Sequence, residues 1–486
     1  LPATTNQRCH HGACKPAAAR SCHHRARRAE KGRKKKMDAS GIHCPPAPLA
    51  LPLNISSRRS VASGTAFSSP PRRTKLMAET SKVDKKPEIC TADELHRIDA
   101  YNSDWKLALW RYLHSPSTMT RKHPLFLLSG VATNAVGYDL CPKSSFARFM
   151  SGQGFDTWVL ELRGSGLSTF RVGIGEGIKC VCGFLIVLST WNLSQKLLDV
   201  IEGSQQFVSP NVGLFQGLFP SELEDVIKQL DMVSKYDWDL DHHLEEDLPS
   251  AVEYIRTQSK PNDGQIFAIG HSMGGILLYA MLSRSCSQGR DSGLTSIVTL
   301  GSTLDYTPSN SSLKFLLPVA DPARALNIPA IPVGTLIAAA YHFSSSPPYV
   351  LSWLKAQVTA QGMLHPQALT KLVSNSFCTV PAKLLLQLTT AFQQGGLTDR
   401  SGNFLYKQHL KKSKVPVLAI AGDQDFICPP TAVYETVKSI PEHLVMYKVF
   451  GEPGGPHYGH YDLVGGRWAY HEVYPCIIDF LSRHDV

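Results

Sequence analysis

The pattern of hydrophobic positions predicts a sheet of buried, mostly parallel strands. Apolar runs of strand length recur from residue 125 onward, and the stretches between them, such as 145–150, 248–257 and 275–284, have the hydrophobic period of a helix. The apolar runs are 125–128, 158–162, 266–269, 297–300, 415–421 and 445–450. Strands that alternate with helices in this way indicate an α/β domain with a doubly wound sheet.

Two other segments depart from this alternation. Residues 105–113 alternate between apolar and polar positions, as an antiparallel edge strand does. Between residues 307 and 401 the chain is apolar and interrupted by prolines, which predicts a helical cap over the core. Its uncharged stretch 325–354 is long enough to span a bilayer, but four prolines would break a spanning helix. We therefore expect no transmembrane segment, while peripheral contact with a membrane stays open.

Positive charge is concentrated at the N-terminal end of the chain. The formal net charge is +10, but residues 1–88 contain 19 Lys and Arg against 5 Asp and Glu, which leaves 31 basic and 35 acidic residues for 89–486. The body therefore offers no basic surface for a nucleic acid. We divide the chain into a disordered basic segment 1–88, a core segment 89–306 with an insertion at about 170–240, the helical cap 307–401, and a second core segment 402–486.

The basic segment has the composition of an organelle transit peptide. The first methionine is Met37, so residues 1–36 are expected to be translated upstream sequence. From Met37 to Met77 there are five Lys and Arg, a single acid at Asp38, and paired serines. Such a composition is typical of a transit peptide, although a disordered linker without a targeting function has it too.

The cysteines and histidines indicate neither a disulfide framework nor a metal site. The 12 cysteines are scattered along the chain, which favours free thiols in a reducing compartment. The densest Cys and His group, at residues 9–24, lacks paired C-x-x-C spacing and apolar residues that could fold around a metal. We predict no metal and no cofactor.

One motif carries a nucleophile. The apolar run 266–269 is followed by Gly-His-Ser-Met-Gly-Gly at 270–275 and then by a helix-forming segment. A strand, G-x-S-x-G and a helix in this order form a sharp turn that exposes the serine, here Ser272, at a helix N-terminus. Glycines are needed at the flanking positions because the backbone there is crowded. The alternative is a glycine-rich turn with an incidental serine.

A serine nucleophile requires a base and an acid that orients the base. Asp425 is the candidate acid, because it follows the apolar run 415–421 at the strand end where this architecture places catalytic groups. Asp423 is the rival, with a role in the turn as its other explanation. His460 is the candidate base, since it lies in the histidine-bearing loop after the last strand and leads into the terminal helix; His457 in the same loop is the alternative.

An oxyanion hole requires two backbone N–H groups. One normally follows the nucleophile and the other comes from the loop after an earlier strand. Met273 and Val131 are the candidates, and Val131 follows Ser129 and Gly130 at the end of the run 125–128.

At these residues the chain resembles the α/β-hydrolase superfamily, and more narrowly its acid-lipase-like branch and a group of plant hydrolases of unassigned substrate. The stretches that carry the resemblance are 129–134, 154–164, 247–251, 270–275, 422–425 and 458–462. The resemblance implies an α/β-hydrolase fold with a helical cap, a Ser272–Asp425–His460 triad, and a plastid address in preference to the cytoplasm or the mitochondrion. This family typically has His-Gly where the chain has Ser129 and Gly130.

These features predict a serine hydrolase that cleaves carboxylic esters, among them lipid esters, through an acyl-enzyme. The apolar segment 316–341 could line an acyl pocket, or it could simply pack on the core. Acyl transfer to another alcohol would use the same residues. A ligand-binding receptor that keeps the pocket without catalysis is the alternative from a different class. The sequence leaves the oligomeric state open.

Overall fold

A computed structural model describes the residues 86–141, 145–171, 235–317, 329–345 and 353–486. All but the last three residues of the basic segment 1–88, and most of the insertion at about 170–240, lie outside these ranges. The predictions of disorder, a transit peptide and the absence of a metal near the N-terminus therefore stay predictions.

The described residues form one sheet of nine strands, in the order β1-β2-β4-β3-β6-β7-β10-β11, with β5 paired to β2. Its strands are β1 (Glu94–Asp99), β2 (Trp105–Tyr112), β3 (Leu125–Leu128), β4 (Thr157–Glu161), β5 (Thr169–Phe170), β6 (Ile266–His271), β7 (Leu294–Leu300), β10 (Val417–Gly422) and β11 (Val445–Phe450). The run from β4 to β11 is parallel throughout, and β1, β2 and β5 pair antiparallel. The predicted mostly parallel sheet is confirmed.

The helices cover both faces of this sheet. They are α1 (Phe146–Gly152), α2 (Leu248–Ser259), α3 (Met273–Gln288), α4 (Val333–Ser345), α5 (Trp353–Val358), α6 (Pro366–Asn375), α7 (Ala382–Thr389), α8 (Tyr406–His409), α9 (Pro430–Val437), α10 (Asp462–Gly465) and α11 (Val473–Arg483). A short helix, Leu240–His242, and a π-helical turn, His243–Asp247, precede α2 directly. Side chains of β2 alternate between two cores, with Leu107 and Leu109 in one and Ala108 and Trp110 in the other. The predicted doubly wound arrangement is confirmed.

Two edges of the sheet differ from the prediction. The segment predicted as an antiparallel edge, β2, lies inside the sheet because β1 pairs along its outer side. Strand β1 was not predicted from the hydrophobic pattern because most of its residues are polar. One of them, His96, is nevertheless buried, with hydrogen bonds to Tyr254 and Glu94. Strand β11 is parallel as predicted but only half-buried, because it is the opposite edge of the sheet.

The block predicted as a helical cap, 307–401, contains α4 to α7 and a short antiparallel pair, β8 (Ala330–Ile331) and β9 (Val380–Pro381). Residues of this block join both cores: Val380 and Leu384 belong to one, Ala368 and Leu372 to the other. The block therefore packs as part of the domain. No helix in the described ranges combines the length and apolar character needed to cross a bilayer.

Candidate active site

Ser272 occupies a strained turn between β6 and α3. Its backbone has φ 54° and ψ −120°, a region that side chains with a Cβ rarely adopt. The turn is held by its own hydrogen bonds: the Ser272 amide donates to the carbonyl of Leu300 (2.9 Å), and the Ser302 hydroxyl donates to the carbonyl of Ser272 (2.8 Å). The predicted strand, turn and helix around Ser272 are thus present, with the serine half-buried.

The glycines around Ser272 are required by close packing. A Cβ on Gly270 would lie 2.3 Å from the carbonyl carbon of Gly274, and one on Gly274 would lie 2.1 Å from the carbonyl oxygen of Leu128. Both distances are far below van der Waals contact, so any larger residue would displace β3 or α3. The backbone can turn this sharply only with glycine at these positions.

Asp425 and His460 form a buried hydrogen-bonded pair. The Asp425 Oδ2 atom lies 2.7 Å from Nδ1 of His460, and the two residues are 2% and 5% exposed. The other carboxylate oxygen of Asp425 accepts from the amides of Ile427 (2.9 Å) and Cys428 (2.7 Å). These bonds fix the carboxylate, so the imidazole donates its Nδ1 proton to Asp425 and keeps Nε2 as a free acceptor.

The two rival residues pair with each other instead. His457 Nδ1 binds the Asp423 carboxylate, which also accepts from the amide of Tyr458 (2.8 Å). The His457 side chain is 39% exposed, whereas that of His460 is 7% exposed. The exposed pair ties the histidine loop to the end of β10, which explains Asp423 as a structural residue.

Ser272 and the Asp425–His460 pair approach the same short segment at the end of β7. The Ser272 amide binds Leu300, and a Cβ on the next residue, Gly301, would lie 2.9 Å from Asp425 Oδ2 and 3.1 Å from His460 Nδ1. The structure thus brings all three predicted residues to the carboxyl edge of the sheet. Among the described contacts, the Ser272 hydroxyl makes no hydrogen bond to His460; catalytic hydrogen bonds are often long before substrate binds.

His271 links the nucleophile turn to the histidine loop. Its Nε2 atom lies 2.9 Å from the carbonyl of His460, and the two imidazole rings are 4.7 Å apart. Burial, with the adjacent His460 as a smaller contribution, lowers the pKa of His271 to about 3, so its imidazole is neutral and donates from Nε2. Sequence reasoning missed this contact because it joins residues 189 positions apart.

The candidate oxyanion amides belong to residues beside the nucleophile turn. Among the described residues, no acceptor binds the amide of Val131 or of Met273, so both are available to a ligand. Gly130 lies close to the nucleophile, since its Cβ would be 3.2 Å from that of Ser272. Ala132 has a positive φ of 58°, a second strained residue in this loop. The Ser129 hydroxyl donates to the carbonyl of Asn134 (3.2 Å) and closes the loop.

A sequence profile of the alpha/beta hydrolase fold matches residues 123–462, which is well over half of the chain. The chain belongs to the α/β-hydrolase fold family. No curated protein matches it.

Solved structures of esterases and lipases align with most of this chain. They include a thermophilic esterase from Thermogutta terrifontis (14% identity, 81% of this chain and 99% of that chain, TM-score 0.43). A monoacylglycerol lipase from Paleococcus ferrophilus aligns at 14% identity (77% and 99%, TM-score 0.40), and a soluble variant of the Saccharomyces cerevisiae monoglyceride lipase at 13% (80% and 96%, TM-score 0.42). At such identities, the active-site residues and substrate of this α/β hydrolase must be argued from its own geometry.

The cap of this α/β hydrolase holds both active-site loops. Near the oxyanion loop, the amide of Cys378 donates to Ala132 (2.6 Å) and the amide of Asn134 donates to Ser376 (3.1 Å). At the histidine loop, the amide of Tyr461 donates to Val358 (2.8 Å). The cap is thus a fixed support for the site, which the apolar pattern of the cap alone did not predict.

Asp462 fastens the histidine loop to the cap from inside the protein. Its carboxylate accepts from the hydroxyl of Thr359 (2.6 Å) and from the amides of Ala360 and Gly459 (2.7 Å each). Burial raises the pKa of this carboxyl to about 6, although the three hydrogen bonds oppose the shift. Asp462 therefore holds Gly459, which precedes His460, and ties it to residues 359 and 360 of the cap.

We expect Asp462→Asn to change how stability depends on pH. The folded-state pKa of about 6 lies above the ordinary value of 3.8 for an aspartate, so the folded protein binds this proton more tightly than the unfolded chain does. The contribution of Asp462 to the free energy of unfolding therefore falls as the pH rises from 4 to 6. The difference in unfolding free energy between parent and variant should therefore shift by about 2 kcal/mol against the parent from pH 4 to pH 7. Urea unfolding of both proteins at the two pH values measures it, and a difference that does not vary with pH contradicts it.

A shallow cleft lies beside the candidate oxyanion amides. Most of its wall is apolar, but it also contains five side chains that can hydrogen-bond through oxygen or nitrogen besides Thr133. Its lining includes Gly130, Trp238, His243, Met273, Val380 and Leu384. Its position and lining are those of a small-molecule site next to a nucleophile. The described part of the chain contains no cluster of His, Cys, Asp and Glu that could hold a metal ion.

Proposed function

We propose that the protein is a serine hydrolase that cleaves carboxylic esters through an acyl-enzyme, with Ser272 as nucleophile, His460 as general base and Asp425 as the acid that orients it. The observation that carries the proposal is the buried 2.7 Å hydrogen bond between Asp425 and His460 Nδ1, beside a serine held in a strained turn. Strain at a half-buried serine has no structural advantage, and it is typical of a functional site.

The proposed reaction has two steps that use the same groups. His460 Nε2 takes the proton of the Ser272 hydroxyl as its oxygen attacks the ester carbon, and the amides of Met273 and Val131 stabilise the negative oxygen of the tetrahedral intermediate. The intermediate collapses when His460 returns the proton to the leaving alcohol. Water then attacks the acyl-enzyme by the reverse sequence and releases the acid.

The apolar wall of the cleft supports a substrate with a hydrocarbon portion. Val380 and Leu384, from the cap, face the same space as Met273. Lipid esters fit this chemistry, and transfer of the acyl group to an alcohol other than water would use the same residues. Hydrolysis is the simpler function, because it needs no second binding site.

A fluorophosphonate probe tests the proposal directly. We expect the probe to form one covalent adduct per molecule, and peptide mass spectrometry should locate it on the peptide that contains Ser272. Labelling should be blocked by prior reaction with a slowly hydrolysed p-nitrophenyl ester. If the protein binds esters but is not labelled by the probe, it is a ligand-binding receptor with this fold and no catalytic activity.

A further inference from the structure

A buried charge network lies behind the cleft, outside the proposed triad. Arg163 follows β4 with a side chain only 3% exposed, and its Nε atom donates to Asp247 Oδ1 at 2.9 Å while its terminal nitrogen donates to Glu246 at 2.5 Å. The side chain of Asp247 is completely buried. The Arg163 guanidinium thus neutralises Asp247 and holds it in one position, since a buried carboxylate is stable only when it is paired.

His243 is the third member of this network. Its Nδ1 atom lies 2.7 Å from Asp247 Oδ2, one π-helical turn away along the chain. Desolvation by burial lowers the pKa of His243, so the ring is neutral. The single ring proton must then be on Nδ1, where Asp247 accepts it, and Nε2 is left with a lone pair.

That Nε2 atom is buried and, among the described residues, has no hydrogen-bond partner. Leaving a buried acceptor unpaired is costly, and a native protein rarely does so without a functional reason. His243 is 1% exposed and lines the cleft together with Trp238, whose ring contacts it edge-on at 5.0 Å, and with Met273. Because His243 lines the cleft, a molecule bound there beside the proposed nucleophile can supply the missing partner for Nε2.

We propose that His243 is a specificity-determining residue whose Nε2 atom accepts a hydrogen bond from a hydroxyl group of the substrate. This inference rests on the proposed function. An ester group offers only acceptors, so a plain alkyl ester leaves Nε2 unpaired, whereas an ester with a free hydroxyl satisfies it. The substrate class is accordingly a hydroxylated ester, with the hydroxyl on either the alcohol or the acyl portion.

Two pairs of substrates distinguish a hydroxyl in the alcohol portion of the ester from one in the acyl portion. Glycerol monobutyrate against propyl butyrate tests a hydroxyl in the alcohol portion, and ethyl 3-hydroxybutyrate against ethyl butyrate tests one in the acyl portion. The full-length parent should favour the hydroxylated member of one pair by about tenfold in kcat/KM, the effect of one buried hydrogen bond.

Substitutions at position 243 then assign the preference to the imidazole. In His243→Asn the amide can still donate to Asp247 but has no acceptor at the Nε2 position, so the preference should fall about tenfold, to near one. In His243→Gln the side-chain oxygen can take the place of Nε2, and part of the preference should return. The neighbouring His242 binds Asp239 and does not line the cleft, so His242→Gln should keep the parental ratio.

Each outcome bears on the inference separately from the proposed function. A parent that hydrolyses esters through Ser272 but prefers neither hydroxylated substrate overturns the inference alone, and this result needs no variant to fold. A His243→Asn protein with the parental melting temperature and the parental ratio also overturns it. A parent that hydrolyses no ester contradicts the proposed function, and the inference with it.

Discussion

Replacing Ser272 with alanine should reduce kcat for p-nitrophenyl ester hydrolysis by about 10⁴- to 10⁶-fold, because no other group in the proposed mechanism can form the acyl-enzyme. Fluorophosphonate labelling should disappear with it. The substitution removes one half-buried oxygen, and the carbonyl of Ser272 still accepts from Ser302, so the fold should persist. Steady-state kinetics and circular dichroism of the two proteins measure both effects.

The matched control for this experiment is Ser287→Ala. Ser287 lies on the same helix, α3, and its hydroxyl donates only to the carbonyl of Arg284 one turn earlier (2.8 Å). Its removal should leave kcat/KM within about twofold of the parent, as surface substitutions normally do. A Ser272→Ala protein that retains a tenth or more of the parental rate would remove Ser272 from the mechanism.

Replacing Asp425 with asparagine should reduce kcat by about 10⁴-fold. An asparagine amide would donate towards His460 Nδ1, so the imidazole would carry its proton on Nε2 and could not accept one from Ser272. The amides of Ile427 and Cys428 can still bind the remaining oxygen, so the variant should fold. The pH–rate profile and kcat of the purified variant provide the measurement.

Asp423→Asn is the paired comparison, since Asp423 makes the equivalent contact to the exposed His457. We expect less than about a fivefold loss of kcat and a modest loss of stability, because this pair only anchors the loop. The opposite ranking, with Asp423→Asn the more damaging substitution, would move the acid and base to the outer pair.

Features of the structure that are encoded by neighbouring residues could be predicted from the sequence, whereas contacts between distant residues could not. The turn at Ser272 could be predicted because strand, motif and helix are contiguous. Asp425 and His460 could be proposed from chain order and from their positions after strand ends. In the structure these two residues pair with each other, and their rivals, Asp423 and His457, form a separate pair. Strand β1 was missed because most of its residues are polar. The buried one among them, His96, binds Tyr254, which is distant in sequence, and such a partner leaves no periodic signal.

The residues behind the site lay beyond prediction for the same reason. Asp462 joins the histidine loop to Thr359 and Ala360, about 100 positions earlier in the chain. His243 and Asp247 are close in sequence, but their role depends on Arg163, 84 positions away from Asp247. Contacts between residues so far apart in the chain depend on how the sheet folds, so they become visible only in the three-dimensional structure.

The left-handed backbone of Ser272 and Ala132 has an evolutionary consequence. Glycine would occupy both positions more comfortably, so selection for thermal robustness alone would favour it there, by about 1 kcal/mol or more at each. At position 272 the strain is explained by the proposed chemistry, which needs the serine hydroxyl. A relative of this fold that carries glycine there would therefore lack the proposed route of turnover.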